Sequence, residues 1–85
     1  MTLHQIFSAN KSTLEKAIAL ADRDDILLLL GDGSYLAHLS IPGISLRVRE
    51  KDLTGRGLPD NNAQPVTDDE WLQLTLTTDK TLSWF

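Results

Sequence analysis

The sequence predicts an α/β fold: a single small three-layer domain, residues 1–85, with a parallel sheet of about five strands. Three observations predict it. Ile26 to Leu30 is an unbroken apolar run, which suits a strand covered on both faces rather than one with a wet side. Two segments, Ser12-Thr13-Leu14-Glu15 and Thr67-Asp68-Asp69-Glu70, have the spacing of capping boxes that start helices. Strand-like and helix-like stretches alternate from end to end, which is the pattern of βαβ units with right-handed crossovers.

Taken in order, Thr2 to Phe7 has the length and composition of a first strand, with Leu3, Ile6 and Phe7 as apolar members. After the Ser12 cap, Leu14, Ala17, Ile18 and Ala21 recur at helical spacing, and the helix is expected to end near Asp22. Ile26 to Leu30 forms the second strand, followed by Gly31-Asp32-Gly33. Ser34 to Leu39 is expected to be a short helix stopped by Pro42-Gly43. Ile44, Leu46 and Val48 alternate with Ser45, Arg47 and Arg49, a strand with one buried face. Lys51 to Leu58 reads as a short helical turn closed by Gly57. Pro59 to Gln64 reads as a loop and Pro65-Val66 as a very short strand. Trp71 to Leu76 is ambiguous, because Leu72, Leu74 and Leu76 alternate like a strand. The Thr67 cap is a positive start signal and decides for a helix. Thr81 to Phe85 is the last strand. The expected total is about five strands and four helices.

A chain of 85 residues buries only roughly two-thirds of its unfolded surface, so marginal stability and help from partner chains are expected. Its apolar fraction of 41% is enough for a core. No apolar run approaches the ~20 residues of a membrane span, and the N-terminus lacks the basic-then-apolar pattern of a signal peptide. The chain contains no cysteine, which excludes a disulfide scaffold, a thiolate metal site and any persulfide carried by this chain. These absences give the expectation of a cytoplasmic protein. The net charge of −4 argues against a stand-alone nucleic-acid binder. Arg47, Arg49, Lys51 and Arg56 nevertheless concentrate half of the eight basic residues within ten positions. Such a cluster is either a solvated face or a contact patch for an acidic partner or RNA.

The chemistry-bearing patterns are weak. Gly31-Asp32-Gly33 follows a strand, as a dinucleotide fingerprint would, but Leu36 stands where the third glycine belongs and no phosphate-loop lysine follows. A tight turn explains the glycines. His4 and His38 have no further ligands at metal spacing, so no metal or cofactor is expected. Ser8, Ser12 and Ser34 lack a nucleophile elbow, and Asp68, Asp69 and Glu70 read as a helix cap rather than a carboxylate dyad. No catalytic residue emerges. Asp52 and Arg56 stand four apart, an easy ion pair that fixes a turn or serves an interface. Trp71 and Trp84 read as core or interface anchors, Trp84 being a candidate for subunit contact.

Several segments taken together resemble one family. They are Leu3-His4, the run Asp25 to Leu30 with Asp32-Gly33, the segment Lys51-Asp52-Leu53-Thr54-Gly55-Arg56-Gly57-Leu58, and Glu70 to Thr75 closed by Ser83-Trp84. The third is similar to a "D-L-x-A-R-G-L" segment with Gly55 in place of Ala. The chain thus resembles the TusB/DsrH proteins, small subunits of sulfur-relay complexes. The resemblance implies a DsrE/F/H-like fold and a cytoplasmic hetero-oligomer with TusC-like and TusD-like subunits. In that assembly a persulfide passes towards 2-thiolation of the wobble uridine of tRNA. Some DsrH-type members carry a cysteine near the position of Ala17, and the segment between Gly33 and Ile44 is longer in many of them. Lacking that cysteine, this chain fits a non-carrier, non-enzymatic subunit. Asp32, Gly33, Asp52, Arg56, Gly57 and Trp84 are the candidate interface or loop-ordering residues. The alternatives are a stand-alone small-ligand or homo-oligomeric module of the same fold, or a minor RNA contact through Arg47, Arg49 and Arg56.

Overall fold

The computed structural model describes residues 1–59 and 62–85. Five strands form one sheet in which every pairing is parallel: β1 (Thr2–Ile6), β2 (Ile26–Leu29), β3 (Ser45–Arg49), β4 (Gln64–Val66) and β5 (Lys80–Trp84). Their order across the sheet is β4-β3-β2-β1-β5. The α-helices are α1 (Lys11–Leu20), α2 (Glu50–Gly55) and α3 (Asp68–Thr77). The expected α/β three-layer domain is therefore what the chain forms. None of the described helices is long and apolar enough to cross a membrane.

The Ile26–Leu30 run does what an unbroken apolar run requires. Leu27 and Leu29 join Ile6, Leu14, Ala17, Leu46 and Val48 in one core layer, under α1 and α2. Ile26, Leu28 and Leu30 join Leu3, Val66 and Leu74 in the other, under α3. Successive strand residues point to opposite faces, so a strand covered on both sides has no position for a polar residue. β3 keeps Leu46 and Val48 buried while Arg47 and Arg49 lie half-buried on the α3 face.

Several boundaries differ from expectation. Ser12 does not cap α1. Asn10 does, its side chain accepting from the Ser12 amide at 3.0 Å, and the helix starts at Lys11. Asn caps as well as Ser, and the earlier start leaves Glu15 exposed rather than reaching back. α1 ends at Leu20, before the charged stretch. The short helix expected over Ser34–Leu39 is instead a 3-10 turn over Gly31–Leu36. It is pulled forward because the Gly33 amide bonds to Leu30 directly at the strand end, at 2.9 Å. Three α-helices and this turn thus replace the four helices expected among the described residues. The Thr67 capping box is present in full, and Trp71 to Leu76 is helical. Gly57, at φ +63°, closes α2 as expected. In the loop expected over Pro59–Gln64, positions 60 and 61 lie outside the described residues.

Candidate functional site

In parallel sheets, ligands sit beyond the carboxyl ends of the strands, where adjacent strands send their helices to opposite faces. Here that point lies between β3, which feeds α2 on one face, and β4, which feeds α3 on the other. Of the residues singled out from sequence, Asp32, Gly33, Asp52, Arg56 and Gly57 converge beside it.

Gly31 leaves β2 at φ +53°, a backbone conformation that glycine adopts without a side-chain penalty. Two residues on, Gly33 lies against the end of β1 so closely that a Cβ there would stand 2.1 Å from the Ile6 carbonyl oxygen. This packing brings the turn over α2. The Gly31 amide donates to Asp52 Oδ2 at 2.9 Å. Arg56 reaches from the end of α2 to Asp32 Oδ1 at 3.2 Å, and its guanidinium lies over the Tyr35 ring at 5.3 Å. Arg56 Nε stands 3.8 Å from Asp52 Oδ1, a charge contact rather than a hydrogen bond. The predicted i, i+4 pair therefore exists, but the shorter contacts run from α2 to the turn after β2. Asp32, Gly33, Asp52 and Arg56 form one cluster, with Gly57 ending the helix that carries it.

A second cluster spans the switch point itself. Arg49 grips Asp68 through Nε to Oδ1 at 2.8 Å and Nη2 to Oδ2 at 3.2 Å, and reaches Asp52 at 3.5 Å. Lys51 Nζ meets Asp68 Oδ2 at 3.0 Å. Hydrogen bonds from Arg49 and then Lys51 hold the Asp68 carboxyl down to about 2. Arg49 also lies over the Trp71 ring at 5.7 Å, and Trp71 Nε1 donates to Gln5 Oε1 at 2.8 Å. The cleft between the two helix starts is lined by Glu50, Lys51, Thr67, Asp68 and Asp69. Carboxylates thus occupy the helix N-termini that would otherwise attract a phosphate. Arg49, Lys51 and Arg56 of the basic cluster all pair with carboxylates of this same chain.

Trp84 stands apart from both clusters. Its Nε1 donates to His4 Nδ1 at 3.1 Å, while His4 Nε2 lies 3.1 Å from Asp25 Oδ2. The indole nitrogen can only donate, so His4 Nδ1 is the acceptor and the imidazole proton sits on Nε2, towards Asp25. Asp25 also accepts from the amides of Thr2 at 2.8 Å and Asp22 at 3.0 Å. These bonds, the Asp22 amide foremost, bring its carboxyl down to about 2 despite burial. His4 and Asp25 are both buried, and both His4 nitrogens are engaged, so the pair serves the fold. Sequence reading did not single out Asp25. The signal was its place directly before a fully buried strand, where a charge must be paired. His38 is exposed, its Nδ1 2.9 Å from the Tyr35 carbonyl oxygen.

No protein-family model matches this chain, and no curated protein matches it.

Proposed function

We propose that this chain is a non-catalytic subunit of a cytoplasmic sulfur-relay complex of the TusB/DsrH kind. It assembles with TusC-like and TusD-like subunits and supports persulfide transfer towards 2-thiolation of the tRNA wobble uridine. One observation carries the reading. The resembling segments around Asp32-Gly33 and Asp52 to Gly57, twenty positions apart in sequence, meet in a single ion-paired cluster at the carboxyl edge of the sheet. That cluster shapes a surface loop, its carboxylates held by Arg56 and the Gly31 amide. Two further facts support it. The chain has no cysteine to hold a persulfide, which suits a subunit whose partner carries the sulfur. The switch-point cleft is bridged by Arg49 and Asp68, which disfavours a small anionic ligand there.

Co-purification with a cysteine-bearing TusD-like subunit tests the proposal. A stable complex is expected; failure to bind any such partner at physiological concentrations overturns it. Arg56→Ala releases Asp32 and Tyr35 from α2. Its expected effect is a larger loss of complex affinity than of the isolated chain's melting temperature. Equal losses would make Arg56 a purely structural residue.

A further inference from the structure

The two edges of the sheet are not alike. β4 is three residues long and contains Pro65, which has no amide hydrogen to offer a new strand. β5 is five residues long, Lys80-Thr81-Leu82-Ser83-Trp84, free of proline and charged only at its first position. Its pairing with β1 sets which backbone groups face outward. Trp84 pairs with Ile6, and the Phe7 amide donates to the Trp84 carbonyl at 2.9 Å. In a parallel ladder both backbone groups of one residue point the same way and alternate along the strand. Lys80, Leu82 and Trp84 therefore bond towards β1, while the N–H and C=O of Thr81 and Ser83 face outward along the open edge.

We infer that this edge binds a second copy of the chain, β5 against β5, antiparallel about a twofold axis at Leu82. The outward groups are self-complementary in that register. Thr81 stands opposite Ser83 of the second copy and exchanges both backbone hydrogen bonds with it, and the twofold axis repeats the exchange. The two Leu82 residues then face each other as a non-hydrogen-bonded pair, where side chains approach most closely. On the same face, Lys80 meets Trp84 of the other copy as a cation over an indole ring. On the opposite face the Ser83 hydroxyl, whose oxygen accepts from Gln5 Nε2 of its own chain at 3.2 Å, donates to the Thr81 hydroxyl of the other copy. A shift by one residue sets outward groups against inward ones and leaves the ladder unbonded. Phe85 follows the strand 85% exposed, stacked on Phe7 at 5.2 Å, and adds apolar surface beside the edge. Main-chain pairing supplies the affinity and the side-chain pairs fix the register.

Sedimentation equilibrium of the whole chain tests this. The wild type is expected to show a concentration-dependent dimer. Ser83→Pro removes an outward amide that the fold does not use, and two intermolecular bonds with it. It is expected to weaken the dimer about thirtyfold or more, with an unchanged far-ultraviolet spectrum. Ser83→Ala, which removes only the hydroxyl, is expected to keep the dimer. A second measurement does not depend on proline being tolerated. Because the chain has no cysteine, a mixture of Thr81→Cys and Ser83→Cys proteins should oxidise to the mixed disulfide, with little of either homodimer. A wild type that is monomeric at every concentration overturns the inference, as does a dimer indifferent to Ser83→Pro or a disulfide pattern without the mixed product. The edge pairing is independent of the sulfur-relay reading, and either test can fail without the other.

Discussion

At the scale of single residues, the tightest constraint is Gly33. An added Cβ would meet backbone, the Ile6 carbonyl, and backbone at a strand end cannot give way as a flexible side chain can. Gly33→Ala is expected to destabilise the chain by about 1–3 kcal/mol, the range for overpacking, as a drop in denaturant midpoint. Gly55, in the last turn of α2 with open space around its Cβ direction, is the control. Gly55→Ala should leave stability unchanged or raise it by up to about 1 kcal/mol. Asp25 sets the acid response. Its folded-state carboxyl titrates at about 2 against an ordinary 3.8. A depressed carboxyl stabilises the fold above its unfolded value, and that contribution is lost as the pH falls through the folded one. The contribution is about 2 kcal/mol at neutral pH. Urea titrations from about pH 4 down to about pH 2 should therefore show Asp25→Asn losing less stability over that window than the wild type. Equal slopes would place the acid sensitivity elsewhere. Asp68 has a similar depression but is 38% exposed, so solvent screens most of its contribution.

At the scale of elements, a helix start was legible where its capping box had no rival upstream. The Thr67 box forms as the sequence indicates because its hydroxyl and Glu70 satisfy each other's backbone partners, a contact confined to four residues. The Ser12 box fails because Asn10 competes for the same helix from two residues upstream. Asn10→Ala should thus lower stability by about 1 kcal/mol, whereas Ser12→Ala should cost less than half of that. Thermal melts of the two variants distinguish the caps, and the reverse order would restore the sequence expectation. α3 explains its own ambiguity. Leu72, Leu74 and Leu76 alternate, yet only Leu74 is buried; Leu72 is 57% and Leu76 69% exposed. On a helix the outer two point away from the sheet together, so the alternation says nothing about a strand.

At the scale of the whole molecule, the chain closes on itself through Trp84, His4 and Asp25. Eighty residues separate Trp84 from His4, and their bond ties the last strand to the first. Trp84→Phe keeps the ring but leaves the buried His4 Nδ1 without a donor. It is expected to destabilise the fold by about 1–3 kcal/mol, measured as a lower melting temperature. No change would mean that another donor reaches that nitrogen. The sequence by itself determined the α/β class, the parallel sheet, the capped third helix and the absence of thiol chemistry. These rest on composition and on patterns within a dozen residues, where apolar periodicity and local hydrogen bonds decide. It also marked Asp32, Gly33, Asp52 and Arg56, though only Asp52 and Arg56 as a pair. Only the tertiary structure decided that Arg56 reaches Asp32, that Arg49 bridges to Asp68, and that Asp25 and Trp84 share His4. It also decided which strand lies open at the edge. Those contacts join residues far apart in the chain, and strand order fixes their distances, which no local pattern encodes.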